Sequence, residues 1–600
     1  MFINIRDKFC KELERVSINL EKSCWDFYTN STAENLKRYE EAQDEYSKVF
    51  QNRDWYNKFL AINKDELSKH EQKQLKELLK EFDEELNTGE ELKALRKKEN
   101  EIAQKYNSYI PKIDGKEVSK PEIFKIMQTE TNPDLRKKAY DAKIKGADLI
   151  AEDMIEFVKM RNEYAKNKGY GTYFEYKLKE DYDVDLEFLN KLIDEVYTNA
   201  SGKIKEILEK KQKELKEFFG VEKLENYHYG LLLNNNPEKG VNKILEASSQ
   251  ATPPDEKGVN KILEASSQAT PPDEKGVNKI LEASSQATPP DEKGINKILE
   301  ASSQATPPDE KGVNKILEAS SQATPPDEKG INEVLINQDI VSISKTMYKN
   351  MGYDIDKLEK EGKITLDLFA RKGKNTHGFC FGVEAGKDSR ILANLINNVT
   401  SLDTLNHELG HCVYDLGIST ELPFLDRRAS SPAVTEAVAM MMGDIIKTEN
   451  VLDKIVPDEL LERFKMTHKE DEASFVAKSL LIIDFEREIY TNPEQNPAEL
   501  WNNLNKKYLN RENELDNEWA SIPHYLSHPA YYQNYFRANL MKVQIYNYLK
   551  SVLGNITENN KSAEFMDKNI FELGASVEEY DLIKQLTGEE FSAKEFCNNL

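Results

Sequence analysis

The strongest constraint on the fold is the helical spacing of apolar residues across the first 225 residues. The stretch NKDELSKHEQKQLKELLKEFDEELN sets apolar residues at helical intervals among Lys and Glu, with Asp65 as a plausible N-terminal cap. The stretch NPDLRKKAYDAKIKGADLIAEDMIEFVKMRNEYAKNKGYG continues the pattern and ends at Gly169 and Gly171. Short helices broken by Gly and Pro predict a packed multi-helix domain in preference to a coiled coil.

Composition narrows the class of protein. The chain has 600 residues, of which 38% are hydrophobic and 32% charged, as is typical of soluble helical proteins. Its formal net charge of −24 repels phosphate backbones, so we expect no nucleic-acid partner. The N-terminus, MFINIRDKFCKELERV, lacks the apolar run of a signal peptide, and no stretch approaches the ~20 apolar residues that cross a bilayer. We therefore expect no membrane partner.

The cysteines predict a reducing compartment. They are five in number, scattered, and in no CxxC spacing: Cys10, Cys24, Cys380, Cys412 and Cys597. This pattern argues against a disulfide framework and against a cysteine-based zinc site. We expect a cytoplasmic protein.

An internal repeat divides the chain. The 18-residue unit VNKILEASSQATPPDEKG begins at Val241, Val259, Val277, Ile295 and Val313, and a decayed copy begins at Ile331. In each unit, TPPD supplies a threonine cap followed by proline at the first helical position, which predicts a short helix. The predicted parts are residues 1–237, the repeats at 238–332, and residues 333–600.

The near-identity of the repeat copies indicates recent duplication. We interpret the array as an insertion in a surface loop, because loop closure becomes only slightly more costly as a loop lengthens. The alternative is a surface that binds a protein partner.

The segment HELGHCVYDLG contains the motif most suggestive of chemistry. Residues four apart share one face of a helix, so His407 and His411 can both direct an imidazole at one ion. Glu408 lies beside them and can contact a metal-bound water without being a ligand. An HExxH string arises by chance in long chains, so a third ligand is needed to support the interpretation.

The segment SSPAVTEAVAMMMGDII offers that third ligand. Ser431 can cap a helix and Pro432 suits its first turn, and the helix is almost entirely apolar around Glu436. An ionised carboxylate in such a helix is costly unless it pairs with a cation or a metal. Glu436 follows the second histidine by 25 positions, which suits two antiparallel helices. The alternative is an ion pair with Arg427 or Arg428.

A short β pattern precedes the HExxH segment. In HGFCFGVEAGKDSRILANL, two strand-like runs flank a Glu-Ala-Gly-Lys-Asp turn, which predicts an antiparallel hairpin.

The segment HELGHCVYDLG…LPFLDRRASSPAVTEAVAMMMGD resembles the metal-binding core of the angiotensin-converting-enzyme family of zinc peptidases. The stretches RKKAYDAKIKGADLIAEDMIEFVKMRNEYAKNKGY, YKNMGYDIDKLEKEGK, THGFCFGVEAGKDSRILANLINNVTSLDTLNHELGH and IPHYLSHPAYYQNYF resemble bacterial members in the same order. The resemblance covers nearly the whole chain outside the repeats.

The resemblance implies a mainly helical, two-lobed ellipsoid around a deep central cleft, with a small antiparallel sheet near the metal. It implies one Zn2+ per chain, held by His407, His411 and Glu436, with Glu408 as general base. Short peptides are the implied substrates.

The same resemblance implies further roles in binding and catalysis. Tyr535 matches the tyrosine that stabilises the oxyanion, and Tyr532 matches one that holds the C-terminal end of the substrate. His377 matches a histidine that binds the substrate backbone, and Cys380 falls on the strand that pairs with the peptide.

His524 matches the second substrate-binding histidine with a one-residue shift, so His528 remains its rival. The sequence departs from the animal enzymes in two places. Ile522 stands where a lysine grips the substrate carboxylate, and Asn534 stands where an arginine helps to bind chloride. We therefore expect no chloride activation, and the mode of cleavage stays open.

Two alternatives remain. The first is a thimet-type oligopeptidase, which also combines HExxH with a later glutamate; the block IPHYLSHPAYYQNYF favours the converting-enzyme group. The second is a non-catalytic protein that binds partners through its repeats.

Overall fold

The protein is represented by a computed structural model that describes residues 1–86, 89–230, 326–371, 373–375, 378–512 and 514–600. One compact unit comprises Met1–Leu233 together with Asp327–Leu600. The second unit, Asn234–Pro326, lies almost wholly outside the described residues. The repeat array and the three predicted parts of the chain therefore stay predictions.

Ten helices precede the repeats in the described part of the chain. They are α1 (Phe2–Thr29), α2 (Ala33–Phe50), α3 (Arg53–Leu60), α4 (Lys69–Leu86), α5 (Glu90–Asn107), α6 (Lys120–Thr129), α7 (Pro133–Asp148), α8 (Ala151–Asn167), α9 (Tyr173–Tyr182) and α10 (Leu186–Phe219). A two-residue hairpin, β1 (Lys112–Ile113) and β2 (Lys116–Glu117), interrupts them. The helical periodicity of the first 225 residues predicts the helices correctly but not this hairpin. The predicted cap at Asp65 is wrong, because Asp65 lies in a short 3-10 turn and the Ser68 hydroxyl accepts from the backbone N–H of Glu71 at the start of α4.

Twelve further helices follow among the described residues. They are α11 (Pro326–Leu335), α12 (Ile340–Met351), α13 (Ile355–Lys360), α14 (Val399–Gly417), α15 (Pro432–Thr448), α16 (Asp458–Thr491), α17 (Pro497–Leu509), α18 (Pro523–Ser527), α19 (Tyr532–Leu553), α20 (Ser562–Met566), α21 (Glu579–Thr587) and α22 (Lys594–Asn599). The predicted mainly-α class is confirmed. The two-lobed ellipsoid with its deep cleft stays a prediction.

A three-stranded sheet precedes α14. Its strands are β3 (Ile364–Asp367), β4 (Phe379–Glu384) and β5 (Asp388–Leu392), in the order β3-β5-β4. The predicted hairpin is confirmed, since β4 and β5 pair antiparallel, with Cys380 opposite Ile391. The sequence pattern does not indicate β3, which pairs parallel to β5. Within this sheet β4 is an outer strand, so one of its edges makes no pairing with another described strand.

Side-chain caps fix where the two central helices begin. The side chain of Asn398 accepts a hydrogen bond from the backbone N–H of Ser401 at the start of α14. Ser431 does the same for Val434 at the start of α15, and Pro432 occupies the first turn as predicted. Such caps satisfy N–H groups that have no partner within the helix.

The N-terminal helices have a hydrophobic core of their own. Phe9 lies at its centre, with ring centroids 5.6 Å from Phe50 and 5.4 Å from both Phe59 and Phe82. This core draws on α1 to α4, whereas the main core extends from α5 to α22.

Helices α14 and α15 pack closely against one another. A Cβ atom at Gly410 would lie 3.0 Å from the Cα of Ala439 and 3.0 Å from the Cβ of Met442. A Cβ atom at Gly443 would lie 2.6 Å from the Asp403 carboxylate and 3.4 Å from the Cβ of His407. Glycine at both positions therefore permits the two helix backbones to approach.

Among the described residues, none of the helices combines the length and the apolar content required to span a membrane.

We predict that Gly410→Ala lowers the free energy of unfolding by about 1–3 kcal/mol, because the added methyl overpacks the crossing. Gly202→Ala is the matched control. Gly202 also lies in a helix, but a Cβ atom there would meet nothing within 4 Å. The control should therefore stabilise the protein by up to ~1 kcal/mol. Urea unfolding of both variants measures the two effects, and equal stabilities would contradict the packing argument.

Candidate metal centre

Three candidate ligands come together at the crossing of α14 and α15. His407 and His411 lie one turn apart on α14, with ring centroids separated by 4.9 Å. Glu436 lies in the second turn of α15, so that its carboxylate faces both rings. The predicted antiparallel helix pair thus brings these three side chains together.

The distances suit a single divalent cation. The Nε2 atom of His407 lies 3.7 Å from one Glu436 oxygen, and that of His411 lies 4.0 Å from the other. One ligand atom from each of the three residues lies within 4.8 Å of the other two. Tetrahedral ligands at 2.0–2.1 Å from zinc stand about 3.3 Å apart, so only small side-chain shifts would close the shell.

The arginine alternative for Glu436 is wrong. Arg427 places Nη1 2.6 Å from a Glu14 oxygen, and Arg428 places Nη2 2.5 Å from a Glu77 oxygen. Both guanidinium groups therefore tie the loop between α14 and α15 to the N-terminal helices. The Glu436 carboxylate is left facing imidazoles.

Thr435 orients one ligand. Its Oγ1 lies 2.8 Å from the Nδ1 atom of His411, which leaves Nε2 directed at the cluster. Burial and the neighbouring His407 lower the pKa of His411 to about 3, so its imidazole is neutral, as metal binding requires. The sequence interpretation missed Thr435, although a polar residue beside Glu436 in an apolar helix was a usable signal.

Glu408 is buried beside the cluster. Burial raises the pKa of its carboxyl to about 7, and the charge of Glu436 contributes in the same direction. The backbone N–H of Cys380 donates to this carboxyl and opposes the shift. A carboxyl group that titrates near neutrality can exchange protons with water at physiological pH.

The side chain of Cys380 points toward α14. Its Sγ lies 3.4 Å from the Ser389 hydroxyl and 3.9 Å from an Asp415 oxygen. Burial raises the pKa of Asp415 to about 7, and these two donors are its side-chain partners. The contact anchors β4 to the metal-site helix. His377, just before this strand, lies outside the described residues.

An aromatic cluster lies at the start of α19. The Tyr535 ring centroid is 5.2 Å from Tyr531 and 5.7 Å from Tyr532. Burial raises the pKa of Tyr535 to about 12, with smaller contributions from Tyr531 and the Glu436 charge. The phenol therefore remains a hydrogen-bond donor near Glu436. Tyr531, which also senses the Glu436 charge, was not selected from the sequence.

The two rival histidines differ in surroundings. The His524 ring centroid lies 4.9 Å from Tyr532 and 6.2 Å from Tyr535, and its buried Nδ1 has no hydrogen-bond partner among the described residues. His528 is exposed and bonds the hydroxyl of the adjacent Ser527 at 2.7 Å. The His528 ring lies 6.1 Å from Tyr531, whereas the His524 ring contacts Tyr531, Tyr532 and Tyr535.

Two buried groups hold the segment that carries His524. Arg161 of α8 donates to the carbonyl oxygens of Tyr525 at 2.7 Å and Leu526 at 2.5 Å. Glu486 of α16 accepts from the backbone N–H of Ala530 at 2.9 Å. Ala530 has a φ of 61°, a conformation that non-glycine residues seldom adopt. These contacts define the backbone between α18 and α19.

Comparisons with known proteins agree with this geometry. The family described as "Peptidase family M3" matches residues 351–600, and the family described as "Angiotensin-converting enzyme" matches residues 4–226. Each match covers less than half of the chain, and both families are gluzincin zinc metallopeptidases. Two separate parts of the chain are thus each similar to a family of gluzincin zinc metallopeptidases.

A more specific similarity is to Oligopeptidase PepF of Bacillus subtilis (strain 168). It is 28% identical over 200 residues, which are 31% of this chain and 28% of the relative. The alignment thus spans less than a third of the relative's length. The block IPHYLSHPAYYQNYF, interpreted as favouring the converting-enzyme group, lies inside the M3 match. The converting-enzyme family instead matches residues 4–226.

We predict that Thr435→Val weakens zinc binding by 10–100-fold, the usual cost of losing a group that orients a metal ligand. Competition with a chromophoric chelator measures the affinity. Thr491→Val is the control, since that hydroxyl donates to the Arg487 carbonyl of its own helix at 2.8 Å. Equal affinities for the two variants would show that Thr435 does not orient His411.

Proposed function

We propose that the protein is a zinc-dependent peptidase that hydrolyses short peptides. The single observation that carries the proposal is the convergence of His407, His411 and Glu436, with the buried Glu408 beside them. The matches to two metallopeptidase families and the similarity to an oligopeptidase support it.

One Zn2+ per chain, bound by His407, His411 and Glu436, would polarise the scissile carbonyl and lower the pKa of water. Glu408 accepts the proton of the attacking water and passes it to the leaving amine. Its raised pKa suits both steps, because a group that titrates near the working pH can accept and then release a proton.

Tyr535 is the proposed oxyanion donor, with His524 as a second donor. Negative charge develops on the carbonyl oxygen during peptide hydrolysis, and a fixed phenol stabilises it. The position of Tyr535 near Glu436, and its raised pKa, support this role. Tyr532 is proposed to hold the C-terminal end of the substrate. His528 remains the less favoured candidate for the role assigned to His524.

The peptide is proposed to bind along the outer edge of β4. An extended peptide can add a strand to such an edge through backbone hydrogen bonds. Cys380 would contribute through its backbone carbonyl, since its N–H donates to Glu408 and its side chain is directed at Ser389 and Asp415. His377 is proposed to bind the substrate backbone at the start of this strand.

Residue 522, at the start of α18, bears on the proposed mode of cleavage. Ile522 offers no charge for a substrate carboxylate, so the proposal favours internal cleavage by an oligopeptidase over the release of C-terminal dipeptides. A cytoplasmic location remains part of the proposal, and a protein partner at the repeats remains the alternative to a tolerated loop insertion. All five cysteines are unpaired, which supports a reducing compartment.

We predict that Glu408→Gln retains one zinc per chain but loses hydrolysis, because the amide cannot accept a proton. Digestion of a mixed peptide library, followed by mass spectrometry with and without a chelator, measures the activity. Glu421→Gln, an exposed glutamate in the following loop, is the control and should cleave normally. Cleavage by the Glu408 variant, or chelator-insensitive cleavage by the wild type, would contradict the proposed mechanism.

We also predict that replacing chloride with a non-coordinating anion at equal ionic strength changes the rate little. Asn534 carries no charge, and the nearby Arg537 is occupied. Its guanidinium pairs with Glu579 and donates to the Asn534 amide oxygen at 2.9 Å and the Tyr580 hydroxyl at 3.0 Å. Activation of several-fold by chloride, measured with one fluorogenic peptide, would reject this prediction.

A further inference from the structure

A second group of residues that could bind a metal involves α15, the helix that also carries Glu436. In the part of the chain that the structure describes, Asp444, His468 and Glu472 also bring ligand atoms within 4.8 Å of one another. Two ammonium groups already occupy their vicinity. Lys542 lies 2.6 Å from an Asp444 oxygen and also bonds Glu472, and Lys447 lies 3.3 Å from the other Asp444 oxygen. The group is therefore an ion-pair network.

The network joins the helices that carry the site. Lys447, at the end of α15, bonds Asp403 of α14 at 3.0 Å. Lys542 joins α19 to Asp444 of α15 and to Glu472 of α16. The chain of contacts thus runs from the histidine helix, through the glutamate helix, to the tyrosine helix.

Asp403 and Lys542 each lie close to one or two full turns from a residue of the site. Asp403 precedes His407 by four residues, and Lys542 follows Tyr535 by seven. Residues at these spacings share one face of a helix, and seven residues correspond to about 10 Å along its axis. A shift of Lys542 relative to Asp444 would therefore move the Tyr535 hydroxyl relative to Glu436.

The network has few alternative arrangements. The Lys542 side chain is 6% exposed and is held by two carboxylates. The charges of the lysines hold the pKa of Asp444 well below its usual range, so this carboxylate is ionised. Burial lowers the pKa of His468, whose ring nitrogens lie 3.7 Å from Asp444 and 3.6 Å from Glu472. A displaced ammonium would be buried away from both carboxylates, which is costly, although Lys447 would still pair with Asp444.

We propose that Lys542 is a positioning residue for the peptidase reaction: it fixes α19 against α15 and thereby holds the Tyr535 hydroxyl at its working distance from the metal ligands. This inference rests on the proposed function. The buried network would then have a role in catalysis as well as in stability. Lys542 would act indirectly, through the position of Tyr535.

Lys542→Met tests the proposal. We expect kcat to fall about 10²-fold, the cost of misplacing a reacting group by about 1 Å, with little change in KM. Zinc stoichiometry should stay at one per chain, because the ligands lie on α14 and α15. In a Tyr535→Phe background, the same change should reduce kcat no further. Losses that multiply in the double variant would overturn the proposal.

Lys550→Met is the matched control. Lys550 also links α19 to α15, through an ion pair of 2.6 Å with the buried Glu449 at the end of α15. It lies about 12 Å further along the helix from Lys542. We expect its loss to lower the melting temperature while kcat stays at the wild-type value. An equal loss of kcat in both variants would show that any weakening of the contact between α19 and α15 lowers the rate, and it would overturn the specific role of Lys542.

Glu472→Gln provides a second variant should Lys542→Met fail to fold. It keeps the shape of the side chain and removes one charge, so we expect a smaller fall in kcat that also vanishes in the Tyr535→Phe background. A zinc-loaded wild type that cleaves no peptide would overturn the proposed function and the positioning role together. If the wild type is active and a folded Lys542 or Glu472 variant has the same kcat, the positioning role alone would be overturned.

Discussion

The Glu436 carboxylate lies in an apolar helix, and among the described residues its ion-pair contacts are two imidazoles. Burial raises the pKa of this carboxyl, which reflects how unfavourable its charge is without a cation nearby. A divalent ion would compensate the carboxylate and use the two neutral nitrogens at the same time. The arrangement of the surrounding helices is best understood as the support for that one electrostatic requirement.

Three levels of structure meet this requirement. Glycines at 410 and 443 let the two ligand helices approach closely. Thr435 then fixes the ring of His411, and the lysine network fixes the tyrosine helix against the other two. Of the features around the site, only the metal ligands themselves form a recognisable sequence motif. The outer levels consist of ordinary residues whose importance comes from where the fold places them.

The sequence predicted those features that depend on local spacing. The helical class, the hairpin, the cap at Ser431 and the meeting of both histidines with Glu436 all follow from periodicity or from a motif. The ion partners of Arg427 and Arg428 were not predictable, because Glu14 and Glu77 lie more than 300 residues away in the chain. Strand β3 was missed for a similar reason, since its pairing with β5 depends on contacts outside its own four residues.

The contacts of Arg161 have a consequence for how the molecule is assembled. This arginine belongs to the half that matches the converting-enzyme family, yet it holds the backbone next to His524, in the half that matches Peptidase family M3. The three candidate metal ligands all lie in the part that matches Peptidase family M3. The backbone beside His524 is held by an arginine from the part that matches the converting-enzyme family. The two matched parts of the chain are therefore joined beside the site by the Arg161 guanidinium and the carbonyl groups of Tyr525 and Leu526.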